Sequence, residues 1–490
     1  MKFERLVAAI AFVGVAAMAV RVSADGDTFW HLRAGEWILE HRQALNADPF
    51  SLTRNGQPWE YPGWLAEVVL YGAYEVLGYA GLNLLTAVSV VLAFALLWPS
   101  LEGPPLLRAF ILSLAAATSA VYWSARPQIL SFVLTAAFLL VLEKWRAAGL
   151  RRLWVLPALM ALWANLHGGF AIGFLILMVY LAGSLIELGA AVIFSGVLLQ
   201  DAWRGKKAEI VGLVTAGLLS AAAVGLNPHG LSLLLYPFKT VSIGVLRDYI
   251  QEWQSPSFHR LEVQPFLWML LLGTLAFALS SMPKRPSELI GFLGFGAMAL
   301  LAGRNIALFA LVAAPPLARH AGSALEPLTR RIRRGRQVAP RVAGILNASI
   351  LVLVLAAAVL KITIPLRDEV NSEALQDRLP VAAVDWIRVH RPAGPLFNSY
   401  NWGGYILWAL YPDYPSFVDG RTDLFDDAIL NDYLLTWRAG SGWEEVFARW
   451  GIRLALLEPD APLVLALEAE GWSPLYEDDQ AVILGRPDQP

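Results

Sequence analysis

The chain leaves its first apolar stretch at Asp25-Gly26-Asp27-Thr28-Phe29-Trp30-His31-Leu32-Arg33, directly after the hydrophobic run 6–22. A helical run of about 20 residues crosses a hydrocarbon layer, so these polar residues stand where the chain first emerges from a bilayer. Charge is costly beside hydrocarbon, and two carboxylates, a histidine and an arginine crowd this boundary. Gly26 frees the backbone to turn between the two aspartates. In an extended stretch residues i and i+2 point the same way, so Asp25 and Asp27 can converge on one cation or one substrate group. The competing reading makes Asp27 the cap of a helix beginning at Thr28 and leaves Asp25 solvated.

The rest of the chain supports the membrane reading. Of its 490 residues 57% are hydrophobic and 16% charged, with 19 Trp, far from the balance of a soluble domain. The net charge of -2 says less than where the charges lie. With no cysteine in the chain, disulfides, thiolate catalysis and sulfur-held zinc are excluded. Met1-Lys2-Phe3-Glu4-Arg5 has the shape of a signal-peptide start. No small-residue cleavage site follows, so the first run is read as a retained span.

A long polar connection, about 23–63, follows the first span. Within it 28–40 reads as a short interfacial helix, with Trp30, Ala34, Trp37 and Ile38 on one face and Asp27, His31 and Gly35 along another. A partly buried helix over 64–77, carrying Glu67, leads into a span at 79–98. Further spans are expected at 106–122, 128–143, 153–165, 170–200, 209–226, 265–281, 288–303, 306–319 and 345–364, for about eleven in all. The stretch 170–200 is too long for a straight crossing and contains Glu187, which points to tilt, a kink or an interfacial part.

Loop charge orients this set. With the N-terminus inside, the inner loops hold Lys144, Arg146, Arg151 and Arg152, then Arg204, Lys206 and Lys207, then Lys284 and Arg285, and finally Arg330 to Arg336 with Arg341. That is the positive-inside pattern. The run at Arg330 is topogenic in this setting, and no nucleic-acid partner is expected. Asp25, Asp27, Arg126, His167, His229, Asp248 and Arg304 then share the outer side. After the last span, residues 367–490 are more charged and alternate short strands (396–398, 416–418, 454–457, 481–484) with helices (384–389, 443–450, 463–470). They read as an outer α/β domain following a membrane domain at 1–366. The Trp-rich stretches at Trp30, Trp37, Trp59 and Trp64 read as interfacial anchors.

On the outer face, Arg126, Arg247 and Arg304 offer planar, permanently charged forks suited to phosphate. A carboxylate across a cavity can deprotonate an acceptor while fixed positive charge receives a departing phosphate. Those are the parts needed to move a sugar from a lipid phosphate to a hydroxyl. Trp30, Trp37, Trp59 and Trp64 also carry aromatic faces on which sugars stack. His167-Gly168-Gly169 and Asn227-Pro228-His229-Gly230 serve equally as a helix end and a turn. Asp419-Gly420-Arg421-Thr422-Asp423 reads either as a ligand-contacting strand end or as a structural ion pair.

The acidic motif after span one, the long first outer loop, the many spans and the trailing α/β domain resemble the C-class (GT-C) glycosyltransferases. These integral membrane enzymes use polyprenyl-phosphate-linked sugars. Asp27 to Ile38, Arg126-Pro127-Gln128, Trp163 to Gly169, Trp402-Gly403-Gly404-Tyr405 and Val418 to Asp423 also resemble a bacterial GT-C-like family of mostly unassigned substrate, nearly end to end. The resemblance implies a multi-pass protein of the bacterial inner membrane whose active site and C-terminal domain are extracytoplasmic. Asp25 or Asp27 takes the position of the first-loop acid, as base or metal ligand. In oligosaccharyltransferases a second acidic motif in a later outer loop completes a metal site, and the corresponding loop here offers Asn165 and His167. A Mg or Mn ion on Asp25, Asp27 and His167 is thus the one cofactor the pattern admits, beside a metal-free, base-catalysed transferase. His31, Arg33, Arg126, Gln128, Asn165, His167, His229, Arg304 and Arg421 are the expected substrate-binding residues. The expected partners are a polyprenyl-phosphate sugar donor, membrane lipids, and a glycan, lipid or protein acceptor. Two rivals remain at this level: a non-catalytic binding or assembly protein of the same fold, and a lipid-linked saccharide transporter. No internal repeat supports the transporter.

Overall fold

The computed structural model describes residues 2–332 and 340–487. The side chains of Arg247, Arg151 and Arg330 to Arg336 lie outside the described set. The protein is a polytopic helical bundle with a small mixed domain after its last long helix. Helices α1 (Phe3–Ala19), α2 (Gly26–His41), α3 (Trp64–Leu97), α4 (Pro105–Ser119), α5 (Gln128–Ala148), α6 (Val155–Leu166), α7 (Ala171–Ser195) and α8 (Leu199–Val224) lead to a long loop. That loop holds the short helices α9 (Tyr236–Val241) and α10 (Gly244–Tyr249). Helices α11 (Gln264–Leu279), α12 (Pro286–Leu301), α13 (Ile306–Ile332) and α14 (Pro340–Thr363) complete the bundle.

A helix occupies most of each expected span. Among the described residues eight helices are long and apolar enough to cross a membrane. The helices at the other three expected positions are shorter: 17 residues for α1, 12 for α6 and 16 for α12. The break expected between an interfacial helix and a span falls within α3, at Gly78. Its φ of 59° is closed to most L side chains. The over-long stretch 170–200 is not one kinked span. Gly196 adopts φ 66° and ends α7 in a left-handed cap, the usual role of glycine at that position, and α8 begins at Leu199.

The C-terminal part contains α15 (Asp368–Gln376), α16 (Val381–His390), α17 (Gly403–Leu410), α18 (Thr422–Trp437), α19 (Trp443–Trp450) and α20 (Pro462–Ala469). They flank a four-stranded sheet of β1 (Leu396–Asn398), β2 (Leu454–Leu457), β3 (Ser473–Glu477) and β4 (Val482–Gly485), in the order β1-β2-β4-β3. β1 and β2 run parallel, and the other pairings are antiparallel. The strand expected at 416–418 is not in the sheet. Ser416 instead bridges to Ser51 of the first loop, and its carbonyl accepts from Leu52 N–H at 2.8 Å.

This contact is part of a wide seam between the first loop and the C-terminal part. One apolar cluster joins Trp30, Ala34, Ile38, Phe50 and Trp59 to Phe397, Phe417, Phe425 and Phe447. A second joins Phe29 and Leu32 of α2 to Ile387, Trp402 and Ile406. Helix α2, expected to be interfacial, is therefore enclosed by protein on two sides. Trp30 and Trp59 are buried rather than anchored at the membrane surface.

Glycines set the closeness of the seam. A Cβ on Gly404 would fall 2.4 Å from the Gly26 carbonyl oxygen, and one on Gly26 would fall 2.4 Å from that of Asn401.

Candidate functional site

Asp25 is the residue that caps α2: its Oδ1 accepts the N–H of Asp27 at 3.0 Å. The helix thus begins at Gly26, two residues earlier than the capping alternative supposed. Both carboxylates nevertheless face one cation, the guanidinium of Arg126, which precedes α5. Arg126 Nη1 lies 3.4 Å from Asp25 Oδ2, and Nη2 lies 3.2 Å from Asp27 Oδ2. A third carboxylate, Glu252 of the long loop, reaches Nη1 at 2.9 Å. Burial works against the charge of Arg126, but Glu252, Asp25 and Asp27 outweigh it and hold its pKa well above the ordinary value. Arg126 in turn holds Glu252 below the usual carboxylate range.

Asp27 behaves differently. Burial raises its pKa to about 7 against the pull of Arg126, with Asp25, Glu252 and Asp419 adding repulsion. Part of that burial comes from the C-terminal part, because a Cβ on Gly420 would fall 1.9 Å from Asp27 Oδ1.

These groups open onto a cavity of about 930 Å³ lined by Asp25, Asp27, His31, Arg126, Gln128, His167 and Arg304. His31 and Glu67 are both buried, with Nδ1 2.8 Å and 3.0 Å from the two carboxylate oxygens. Burial, then Arg126 and His167, press the His31 pKa well below its ordinary value. His167 Nδ1 accepts from Gly169 N–H at 3.1 Å and lies 2.7 Å from Ser131 Oγ. With Nδ1 so used, its proton sits on Nε2, and burial followed by Arg304 and Arg126 lowers its pKa to about 3. Arg304 lies over the Trp253 ring at 4.3 Å. The Gln128 amide donates to Ser124 Oγ at 3.1 Å, bracing the turn before α5.

Four expected site residues lie elsewhere. Arg33 donates to Glu36 and to the Trp408 carbonyl, tying α2 to α17. Asn165 receives Trp64 Nε1 at 2.7 Å and holds helix ends together. His229 Nε2 is 3.1 Å from the Tyr61 carbonyl, within a loop that Asn227 fastens to Pro62 and Ala164. Arg421 is buried behind the cavity wall between Asp48 (2.5 Å) and Asp419 (2.7 Å).

The cavity also uses residues the sequence did not mark. Ser399 and Glu458 follow β1 and β2 directly, at the carboxyl ends of the parallel pair, and line it with Tyr400. Strand ends of this kind commonly face ligands. Asp423, quoted in the sequence only as part of a motif, accepts from Trp59 Nε1 at 3.1 Å and Tyr236 Oη at 3.3 Å. A second cavity, about 850 Å³, shares Asp25, Gln128, Glu252, Arg304 and Arg378 with the first and extends along Met18, Val121, Val263 and Ile306 of the bundle.

The donor set does not fit a divalent cation as arranged. Arg126 stands against both aspartates, and among the described residues no three His, Asp or Glu side chains group as a metal centre.

No protein-family model matches the chain, and no curated protein does. Solved structures do. The archaeal oligosaccharyltransferase AglB from Archaeoglobus fulgidus, in complex with an inhibitory peptide and a dolichol-phosphate, superposes with a TM-score of 0.60 at 14% identity, covering 93% of this chain and 69% of that one. A form of the Archaeoglobus fulgidus enzyme tethered to an acceptor peptide gives 0.56 at 13% identity, with 93% and 69% covered. The apo form gives 0.55 at 12%, with 93% and 70% covered. The chain has the fold of these membrane oligosaccharyltransferases, the GT-C fold.

Proposed function

We propose that the protein is a membrane glycosyltransferase that moves a sugar from a polyprenyl-phosphate-linked donor to an acceptor on the extracytoplasmic side. The observation that carries this reading is the placement of Asp27 and Arg304 on one large cavity, at the seam between a GT-C bundle and its trailing domain. Asp27 is the proposed base. Its carboxylate takes the proton of an acceptor hydroxyl, the freed oxygen bonds the anomeric carbon, and the bond from that carbon to the phosphate oxygen breaks. The electron pair leaves with the phosphate, and Arg304, which has no carboxylate partner among the described residues, meets the charge. Asp25 fixes the start of α2 and shares Arg126, His31 and His167 shape the wall, and residues 367–490 supply the acceptor side. The placement outside the cytoplasm rests on the inner-loop charge pattern. No step runs through a metal.

The test is turnover of a radiolabelled panel of polyprenyl-phosphate sugars by the purified protein, with membrane extract as acceptor source. Asp27→Asn should lower release of the free lipid phosphate by roughly 10²–10⁴-fold with folding intact, and EDTA should leave wild type unaffected. A wild type that binds donors but turns over none, with any extract, would favour the non-catalytic reading.

A further inference from the structure

Between α8 and α10 the chain forms a strap, residues 226–241, at the end of the bundle where the main cavity opens. It holds the turn at Asn227, a tight helical segment over Gly230–Leu235, and α9. Its two sides differ in kind. On the protein side Asn227 donates to the carbonyls of Pro62 and Ala164, and Ser232 and Lys239 both donate to Glu60, Lys239 at 2.7 Å. The Tyr236 ring packs on Gly168, where a Cβ would fall 2.4 Å from Cε1, and its hydroxyl donates to Asp423 at 3.3 Å. Tyr236 and Thr240 line both the main cavity and a neighbouring one of about 730 Å³. On the other side Leu226, Leu231, Leu235, Phe238 and Val241 stand 57–74% exposed.

We propose that this apolar side of the strap is sunk into the lipid of the leaflet at the cavity end, so that the bilayer itself backs one wall of the cavity. The lipid-facing surface of α8 leads straight into it. Leu218 and Leu219 are exposed on a helix apolar enough to cross a membrane, and Leu226 follows its last turn. A single exposed leucine needs no explanation, but five bulky apolar side chains over residues 226–241 mark a contact surface. Lys239, the one residue of the strap that is Lys, Arg, Asp or Glu, is turned to Glu60. No ion therefore enters hydrocarbon with the apolar side chains, where it would be costly. A segment so divided lies in the plane of the interface, about 5–10 Å into the boundary between headgroups and acyl chains. The strap then joins three bodies: lipid on its apolar side, the first loop through Glu60, and the C-terminal part through Asp423. Lifting it out of the leaflet would draw Tyr236 away from Asp423 and open the wall between the two cavities.

The experiment places single cysteines in the full-length chain, which has none of its own. Leu235→Cys and Phe238→Cys probe the strap, Leu218→Cys probes α8, and Glu444→Cys probes the C-terminal part. All four positions are exposed, so a label there leaves the core undisturbed. Each variant carries an environment-sensitive fluorophore and is reconstituted into phosphatidylcholine vesicles containing nitroxide lipids. The nitroxide sits either near the acyl carbonyl or near the methyl end of the chain. Both strap labels should lose most of their emission, and more of it to the shallow nitroxide than to the deep one, as suits an interfacial depth. Leu218→Cys should respond relatively more to the deep nitroxide, and Glu444→Cys to neither. Strap labels quenched no more than Glu444→Cys would overturn the proposal, whether water or protein covers them. Disulfide linkage of two Phe238→Cys chains, with the strap labels unquenched, would assign the face to a second copy of the chain and overturn it too. No readout here involves turnover, so the transferase reading stands or falls separately.

Discussion

Asp27 sits between two opposed influences, burial that lifts its pKa to about 7 and the guanidinium of Arg126 that pulls it down. Only the carboxylate form accepts a proton. The transferase rate should therefore climb about tenfold per pH unit below pH 7 and level off above it, in kcat/KM measured from pH 5 to 9. Replacing Arg126 by Gln removes the charge that favours the carboxylate, so the rising limb should move to higher pH. Asp25, Asp27, Arg126, His167 and Arg304 were legible in the sequence because each is a polar residue at the end of an apolar run, where burial is costly without a reason. Glu252, Tyr400 and Glu458 were not. They reach the cavity through a long loop and a folded domain, and only tertiary structure brings those to α2. Arg126 reads from the sequence as a phosphate ligand, and in the structure it faces three carboxylates, one of them 126 residues away in the chain.

At the scale of elements, the long helices were readable because 3.6-residue packing in lipid demands unbroken apolar sequence, and the turn at Gly78 showed as a change in polarity. The edge strand β3 escaped. It is largely exposed and carries Pro474, so it has no apolar alternation to mark it. The segment 416–418 has strand composition but spends its backbone on the first loop. That junction is held by Arg421, buried between Asp48 and Asp419. Arg421→Ala would leave two buried carboxylates without their cation, an effect of about 3–5 kcal/mol. A melting experiment should show the C-terminal part losing its cooperative transition or lowering its midpoint by several degrees. Arg421→Lys should recover part of the loss, because it restores charge without the fork.

For the whole molecule, the proposed orientation, drawn from the loop charge pattern, has Lys206 and Lys207 inside and residues 367–490 outside. The chain has no cysteine of its own, so single cysteines report cleanly. A cysteine at exposed Glu444 should react with an impermeant maleimide on intact spheroplasts, and one at exposed Lys207 should react only after the membrane is opened. The reverse labelling would invert the topology. The glycine contacts at the seam have a further meaning for how such a protein can be taken apart. Gly26 and Gly404 touch backbone to backbone, and Gly420 lies against the side chain of Asp27 itself. Cut between α14 and α15, the two fragments would be halves of a single keyed joint. The membrane half would keep its helices yet present a more hydrated Asp27, its pKa drawn down from its raised value, until the other fragment snapped back over it.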